Sequence, residues 1–160
     1  MPFYIYFCGG MRPNKNGIYW QDIVRKAVPP DKDIRYLDPC KKRKVPGENE
    51  DLQEFFALDL FWAGMAHIIF VNMEPTNPGG HMGALEIGYV LGQAGREKLV
   101  IIVNQDPSDS DNALYRYRGV INAAGNPNKV YKTIDEGIVM LKRAVAQFRE
   151  NPDAKEAYGE

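Results

Sequence analysis

The chain has 160 residues, of which 44% are hydrophobic and 26% are charged, and its formal net charge is -1. This length predicts a single domain over 1–150 and a polar tail over 151–160. The balanced charge argues against nucleic-acid binding, and no apolar run approaches the ~20 residues of a membrane-spanning helix. Because no signal-peptide pattern is present, we expect a cytoplasmic protein in which Cys8 and Cys40 are reduced, although two cysteines suffice for one bridge.

The first half of the chain alternates apolar strands with helical patterns. The predicted elements are a strand at Phe3–Cys8, a helix at Gly17–Val28 with Trp20, Ile23, Val24 and Ala27 on its buried side, a strand at Ile34–Asp38, a loop at Pro39–Asn49, and a helix at Glu50–Met65. In the last helix Asp59 shares a face with Phe55 and Phe56, which predicts a buried carboxylate that needs a partner or water.

The second half continues the alternation. The predicted elements are a strand at Ile68–Val71, a Pro/Gly-rich turn at Pro75–Gly80, a helix that begins at Met82, a strand at Lys98–Val103, a polar loop at Asn104–Asp111, a short helix at Ala113–Ala124, an edge strand at Val130–Tyr131, and a helix that Thr133 and Glu136 open with a capping box. This order predicts an α/β fold with three layers and a doubly wound parallel sheet of about five strands, as in flavodoxin-like and Rossmann-like proteins.

Two glycine turns follow strands of this predicted sheet, and both belong at its carboxyl edge. The first is Gly9–Arg12, and the second is Gly79–Gly83, just before Glu86. Ligands of open α/β sheets bind at that edge, where the N-terminus of the next helix can hold an anion. Neither turn matches a P-loop or the full dinucleotide fingerprint. The Cys/His spacing of a metal site is also missing from the sequence, so we expect no cofactor and no metal.

Each candidate residue also has a plainer interpretation. Glu86 is favoured in the first turns of a helix by the helix dipole alone. Asp59 could be a half-buried acid that is paired with a lysine or an arginine. Tyr6 could serve only to pack the sheet, and His81 could be an exposed loop residue.

Three segments of the sequence resemble the nucleoside 2-deoxyribosyltransferase family. They are Tyr6–Arg12 (YFCGGMR), Asp59–Leu60, and Gly83–Tyr89 (GALEIGY), and they occur in the order and spacing of that family. The first segment is most similar to the branch of 2′-deoxynucleoside 5′-phosphate N-hydrolases. The resemblance extends over most of Phe3–Val103 and is poor after Asn104.

The resemblance implies roles for individual residues. Glu86 resembles the nucleophile that forms a deoxyribosyl-enzyme intermediate, Asp59 the acid that holds the nucleophile or the base, and Tyr6 the tyrosine whose hydroxyl contacts the nucleophile. The implied ligand is a small nucleoside or nucleotide. The residues implied to line its site are Gly9, Gly10 and Arg12 in the first turn and Gly80, Met82 and Gly83 in the second, with Arg12 a candidate for a 5′-phosphate.

The sequence departs from the family pattern six residues before the nucleophile. Gly80 stands where the family often has an aspartate or a serine, so we predict that the neighbouring His81 protonates the leaving base. Family members also borrow a residue from a neighbouring subunit, and Asn112 is the nearest match, which implies a homo-oligomer, a dimer or larger. The sequence leaves open a transferase, a hydrolase, or a catalytically inactive domain that senses nucleotides.

Overall fold

A computed structural model describes residues 2–42, 52–73, 86–90, 92, 98–105 and 130–152, without the side chains of 42 and 52–56. All structural statements below concern these residues. The predicted start of a helix at Met82, the predicted short helix at 113–124 and the part of the predicted loop at 43–49 lie outside them.

Five parallel strands form one sheet. The strands are β1 (Phe3–Gly9), β2 (Ile34–Leu37), β3 (Ile68–Met73), β4 (Leu99–Asn104) and β5 (Val130–Tyr131). Their order across the sheet is β2-β1-β3-β4-β5, and every neighbouring pair is parallel. This is the strand order of flavodoxin-like doubly wound proteins. The predicted fold class is therefore confirmed, including Val130–Tyr131 as an edge strand.

Helices cover both faces of the sheet. Side chains alternate along each strand, so each strand places apolar residues on both faces. Phe3, Ile5 and Phe7 belong to one core cluster, together with residues of α1 (Trp20–Ala27) and of α4 (Ile134–Glu150). Tyr6 and Cys8 belong to a second cluster on the opposite face, together with residues of α3 (Leu52–Met65) and of the helical segment 86–90. The two faces of β1 therefore contact different helices.

The first helix begins later than the sequence pattern predicts. It was expected from Gly17, but α1 starts at Trp20. The side-chain oxygen of Asn14 accepts hydrogen bonds from the main-chain N–H groups of Asn16 (2.9 Å) and Ile18 (3.0 Å), which holds this stretch in a turn. Ile23 was predicted on the buried side and is 36% exposed, whereas Gln21 is buried. The predicted buried positions Trp20 and Val24 are confirmed.

The predicted loop after the second strand contains a helical turn. This turn is α2 (Pro39–Lys42). The side-chain oxygen of Asp38 accepts a hydrogen bond from the main-chain N–H of Cys40 at 2.9 Å, as a helix-capping aspartate does. Proline is well suited to the first helical position, because its missing N–H would have no partner there. The prediction of a loop was wrong at 39–42, since it treated Pro39 only as a helix breaker.

The last helix begins as predicted. The Thr133 hydroxyl accepts a hydrogen bond from the main-chain N–H of Glu136 at 3.3 Å, and the Glu136 carboxylate accepts one from the N–H of Thr133 at 3.1 Å. This reciprocal pair is a capping box. The buried residues of this helix include Ile138, Leu141, Ala144, Val145 and Phe148.

Helix α3 carries apolar residues on its outer side as well as on its inner side. Trp62 and Ala63 are buried, but Phe61 is 61% exposed, and Leu58 and Met65 are also exposed. Positions 58, 61 and 65 lie three and four residues apart, so these three side chains form one stripe along the helix. Among the described residues, no helix has both the length and the apolar composition that crossing a membrane would require.

Candidate active site

The candidate site lies on β1, where the order of the strands reverses. The neighbours of β1 are β2 and β3, and the chain leaves β1 toward β2 before it returns to β3 on the other side. In doubly wound sheets the ligand crevice opens at the carboxyl ends of the strands at such a reversal. Tyr6 and Cys8 stand in the carboxyl half of β1 on the face that α3 covers. Both side chains are almost completely buried.

A hydrogen bond joins the strand to the helical segment 86–90. The Tyr6 hydroxyl donates to Oε2 of Glu86 at 3.1 Å, across 80 residues of sequence. Glu86 is only 7% exposed, so its carboxylate lies against the sheet and away from bulk solvent. If the helix dipole alone favoured an acid at this position, the side chain could be exposed, because the dipole also stabilises exposed carboxylates.

A second carboxylate and a thiol complete the cluster. Asp59 of α3 is 7% exposed, and its charge acts on both Tyr6 and Cys8. The charge of Glu86 also acts on the Cys8 thiol. Tyr6, Cys8, Asp59 and Glu86 therefore form one buried group, which we call the carboxylate cluster. The fold brings together the three residues singled out in the sequence, Tyr6, Asp59 and Glu86, whereas Cys8 was missed.

The environment keeps both donors of this cluster protonated. Burial, and then the charge of Glu86, raises the pKa of the Tyr6 hydroxyl above its ordinary value. The same two causes raise the pKa of the Cys8 thiol well above its ordinary value. At neutral pH the Tyr6 hydroxyl therefore keeps the proton that it donates to Glu86, and the Cys8 thiol stays un-ionised.

The turn after β1 brings the main chain close to the neighbouring strand. Gly9 has a φ of 135°, and a Cβ atom there would collide with the main-chain oxygen of Asn72 and lie 3.1 Å from its carbonyl carbon. The carbonyl oxygen of Gly10 accepts hydrogen bonds from the Trp20 indole at 2.7 Å and the Gln21 amide at 3.0 Å. The first glycine turn is therefore fixed in place by α1 and by β3.

Arg12 is the residue predicted to contact a 5′-phosphate. Arg12 is exposed in the loop that follows the turn. Arg25, which is half-buried, forms an ion pair with Asp38, and its guanidinium carbon lies 5.1 Å from the centre of the Phe7 ring. Arg25 therefore serves to hold the end of β2, a role that no sequence motif indicates.

An amide pair occupies the ends of the next two strands. The Gln105 side chain donates to the side-chain oxygen of Asn72 at 2.7 Å, and Asn72 is fully buried at the end of β3. Neither residue was predicted to belong to a site. The signal was a polar residue that interrupts an apolar strand, Asn72 after Val71, which in a parallel sheet marks the functional edge.

The remaining predicted residues lie outside the described part of the chain. They are Gly80, His81, Met82, Gly83 and Asn112. Within the described part, no group of three or more His, Cys, Asp or Glu side chains could hold a metal ion.

The fold and the cluster together define a doubly wound α/β protein with a buried tyrosine–carboxylate pair on its first strand. The chain is similar in structure to a conserved protein from Enterococcus faecalis V583, with a TM-score of 0.51, 17% sequence identity and 88% of each chain covered. At this identity the similarity shows the fold alone. No protein-family model matches the sequence, and no curated protein is significantly similar to it.

Proposed function

We propose that the protein cleaves the N-glycosidic bond of a 2′-deoxynucleoside or of its 5′-monophosphate, with Glu86 as the nucleophile. The observation that carries this proposal is the 3.1 Å hydrogen bond between the Tyr6 hydroxyl and Glu86 inside the carboxylate cluster. The sequence resemblance to the deoxyribosyltransferase family led us to expect this contact, and the fold has the strand order in which such a site would face the ligand edge.

The chemistry follows from the charge of the transition state. An oxygen of Glu86 attacks C1′ as the C1′–N bond breaks, and the electron pair of that bond leaves with the base, which takes up a proton. The carboxylate first stabilises an oxocarbenium-like transition state and then forms an ester with the sugar. Water or a second base attacks C1′ of the ester and frees Glu86. A sugar without a 2′-hydroxyl reaches the cation more easily, which favours deoxyribose.

The other two groups support the nucleophile. The Tyr6 hydroxyl holds Oε2 of Glu86, and we assign the attack on C1′ to the other oxygen of this carboxylate. We assign Asp59 the role of orienting the nucleophile or the leaving base, because it is buried and its charge acts on Tyr6, whose hydroxyl contacts Glu86. No metal or redox cofactor is needed for these steps, since every bond change involves an electron pair that stays with the sugar, the base or the carboxylate.

A substrate screen tests the proposal directly. The protein is incubated with each 2′-deoxynucleoside and each 5′-monophosphate, with and without free adenine, and the products are separated by chromatography. Release of base without an acceptor indicates a hydrolase, and a new nucleoside that forms only with adenine indicates a transferase. If no substrate reacts but one of them raises the melting temperature, the protein is a nucleotide sensor and the proposed activity is wrong.

The same assay decides the role of His81. We expect His81→Ala to lower the rate of base release by about 100-fold, because a histidine that titrates near neutrality is suited to protonate a leaving base. The effect should be largest with bases that are poor leaving groups when unprotonated. Unchanged turnover would remove His81 from the mechanism without affecting the assignment of Glu86.

We further propose that the protein works as a homo-oligomer that buries the exposed stripe of α3. Phe61 is the most exposed member of that stripe, at 61%, and α3 also supplies Asp59 to the site. Phe61→Asp is expected to weaken self-association by at least about 30-fold, because a central aromatic side chain often dominates an interface. Analytical ultracentrifugation over a range of concentrations measures this change.

Val139→Asp is the matched control for this experiment. Val139 is also 61% exposed, but it lies on α4, which covers the opposite face of the sheet. This variant should associate like the unmodified protein. A wild-type chain that is monomeric at all concentrations, or equal effects of the two variants, would contradict an interface at α3.

A further inference from the structure

The carbonyl group of Gly10, in the first glycine turn, is held by two side chains of α1. Its oxygen accepts one hydrogen bond from the indole N–H of Trp20 at 2.7 Å and one from the side-chain amide of Gln21 at 3.0 Å. Both donor residues are almost completely buried, at 2% exposure each. Because a carbonyl oxygen can accept two hydrogen bonds, these donors together fix the plane of the Gly10–Met11 peptide.

Packing alone does not account for Gln21. Its Nε2 also donates to the sulfur of Cys40 at 3.3 Å, while its Oε1 is buried and has no hydrogen-bond partner among the described residues. Turning the amide over would bring Oε1 against the Gly10 oxygen, so the contacts define its orientation. An unpaired buried oxygen costs free energy that an apolar side chain of similar length would avoid. The donor that Gln21 provides to Gly10 offsets this cost.

The peptide geometry determines what the other side of the turn presents. No described peptide bond is cis, so the N–H of Met11 points opposite to the Gly10 carbonyl and therefore away from α1. Within the described part of the chain this N–H has no hydrogen-bond acceptor, and Met11 is 37% exposed. The turn follows β1 at the carboxyl edge, where doubly wound sheets bind their ligands. A donor fixed at this edge is suited to an oxygen atom of a ligand.

We propose that Trp20 and Gln21 are positioning residues, which lock the Gly10–Met11 peptide so that its N–H donates to an oxygen of the substrate. The catalytic consequence of this arrangement rests on the proposed function. Both side chains act through the turn, since their donor groups are bonded to Gly10. The contact with the substrate exists before and during cleavage of the glycosidic bond, so its loss should raise KM and leave kcat nearly unchanged.

Three variants separate the orientation of the turn from the stability of the fold. Trp20→Phe keeps an aromatic ring beside Phe70 but removes the indole N–H, and Gln21→Met keeps the length of the side chain without its amide. Tyr36→Phe is the matched control. It also removes a side-chain donor from a main-chain carbonyl, that of Val28, but at the other end of α1.

The kinetics of these variants test the proposal with the deoxynucleoside or 5′-monophosphate that reacts fastest in the substrate screen. We expect Trp20→Phe and Gln21→Met each to raise KM about tenfold, with kcat within about twofold of the original value. Tyr36→Phe should leave both constants within about twofold, even if it lowers the melting temperature as much as the other two variants. Unchanged KM in both α1 variants, a loss confined to kcat, or an equal rise of KM in Tyr36→Phe would overturn the proposal.

A second measurement needs no catalytic activity. In the isotope-labelled protein, nuclear magnetic resonance order parameters of the Gly10 and Met11 amides report the motion of the turn, and we expect the values of a rigid backbone. Trp20→Phe should lower them, and Tyr36→Phe should not. Order parameters that do not change in Trp20→Phe would show that the indole does not fix the turn. If they fall as expected but no deoxynucleoside or monophosphate reacts, the locked turn stands and the proposed function fails.

Discussion

Replacing Glu86 with glutamine should lower kcat for base release by about 10⁴-fold or more, as the loss of a covalent nucleophile does in other enzymes. The amide is nearly the same size and can still accept the hydrogen bond of the Tyr6 hydroxyl, which is 3.1 Å long. It cannot form the ester with C1′. Folding should therefore be retained while the chemistry is lost, and single-turnover kinetics with mass spectrometry of the acid-quenched protein measures both the rate and the intermediate.

Two further variants make this result specific. Glu150→Gln removes a carboxylate from an exposed position at the end of α4, and it should leave base release unchanged. Glu86→Ala opens space beside the sugar, where added azide can attack C1′ directly and restore release of the base. The sugar is then recovered as a glycosyl azide of inverted configuration. Full activity of Glu86→Gln would contradict a covalent mechanism through this residue. The proposed enzyme would then need a different nucleophile.

The strands were predictable because burial on both faces leaves a strong pattern. β3 and β4 have fully or nearly fully buried runs of β-branched residues, and a parallel sheet between two helical layers requires such runs. The capping box at Thr133 was predictable because it is a local contact between residues three positions apart. Both features depend on neighbours in the sequence.

The errors in the predicted elements came from side chains that compete with regular patterns. Asn14 holds a turn where helical periodicity continued the first helix back to Gly17. Asp38 opens a helical turn before a proline-containing stretch that predicted a loop. In each case one polar side chain accepts hydrogen bonds from the nearby main chain, and the spacing of apolar residues does not reveal such bonds.

The candidate site could be predicted only in part. Tyr6 and Glu86 are 80 residues apart, so their contact depends on the fold and was expected only from the resemblance to a known family. Cys8 gave no signal, because a cysteine in an apolar strand is indistinguishable from a core residue in the sequence. Its place near the two carboxylates depends on the fold, and burial together with the charge of Glu86 raises the pKa of its thiol.

The largest stability effect is expected at Gly9, which ends the strand that carries Tyr6 and Cys8. Gly9→Ala should lower the free energy of unfolding by about 3 kcal/mol or more, because it combines a strained backbone with a collision. Gly9 has a φ of 135°, and the added methyl group would collide with the main-chain oxygen of Asn72. A flexible side chain could move aside, but the main chain of a central strand cannot. Urea unfolding followed by circular dichroism measures the loss.

Two other glycines separate the causes of this loss. Gly17 has a φ of 74°, and a methyl group added there would meet no described atom within 4 Å, so Gly17→Ala isolates the backbone strain, about 1–2 kcal/mol. Gly64 lies in α3 with neither constraint, and Gly64→Ala should raise stability by about 0.5–1 kcal/mol. Equal losses of unfolding free energy at Gly9 and Gly17 would mean that the collision at Gly9 costs nothing, because β1 and β3 can separate at this edge. Because Tyr6 stands on β1 and contacts Glu86, any such separation should also lower the rate of base release.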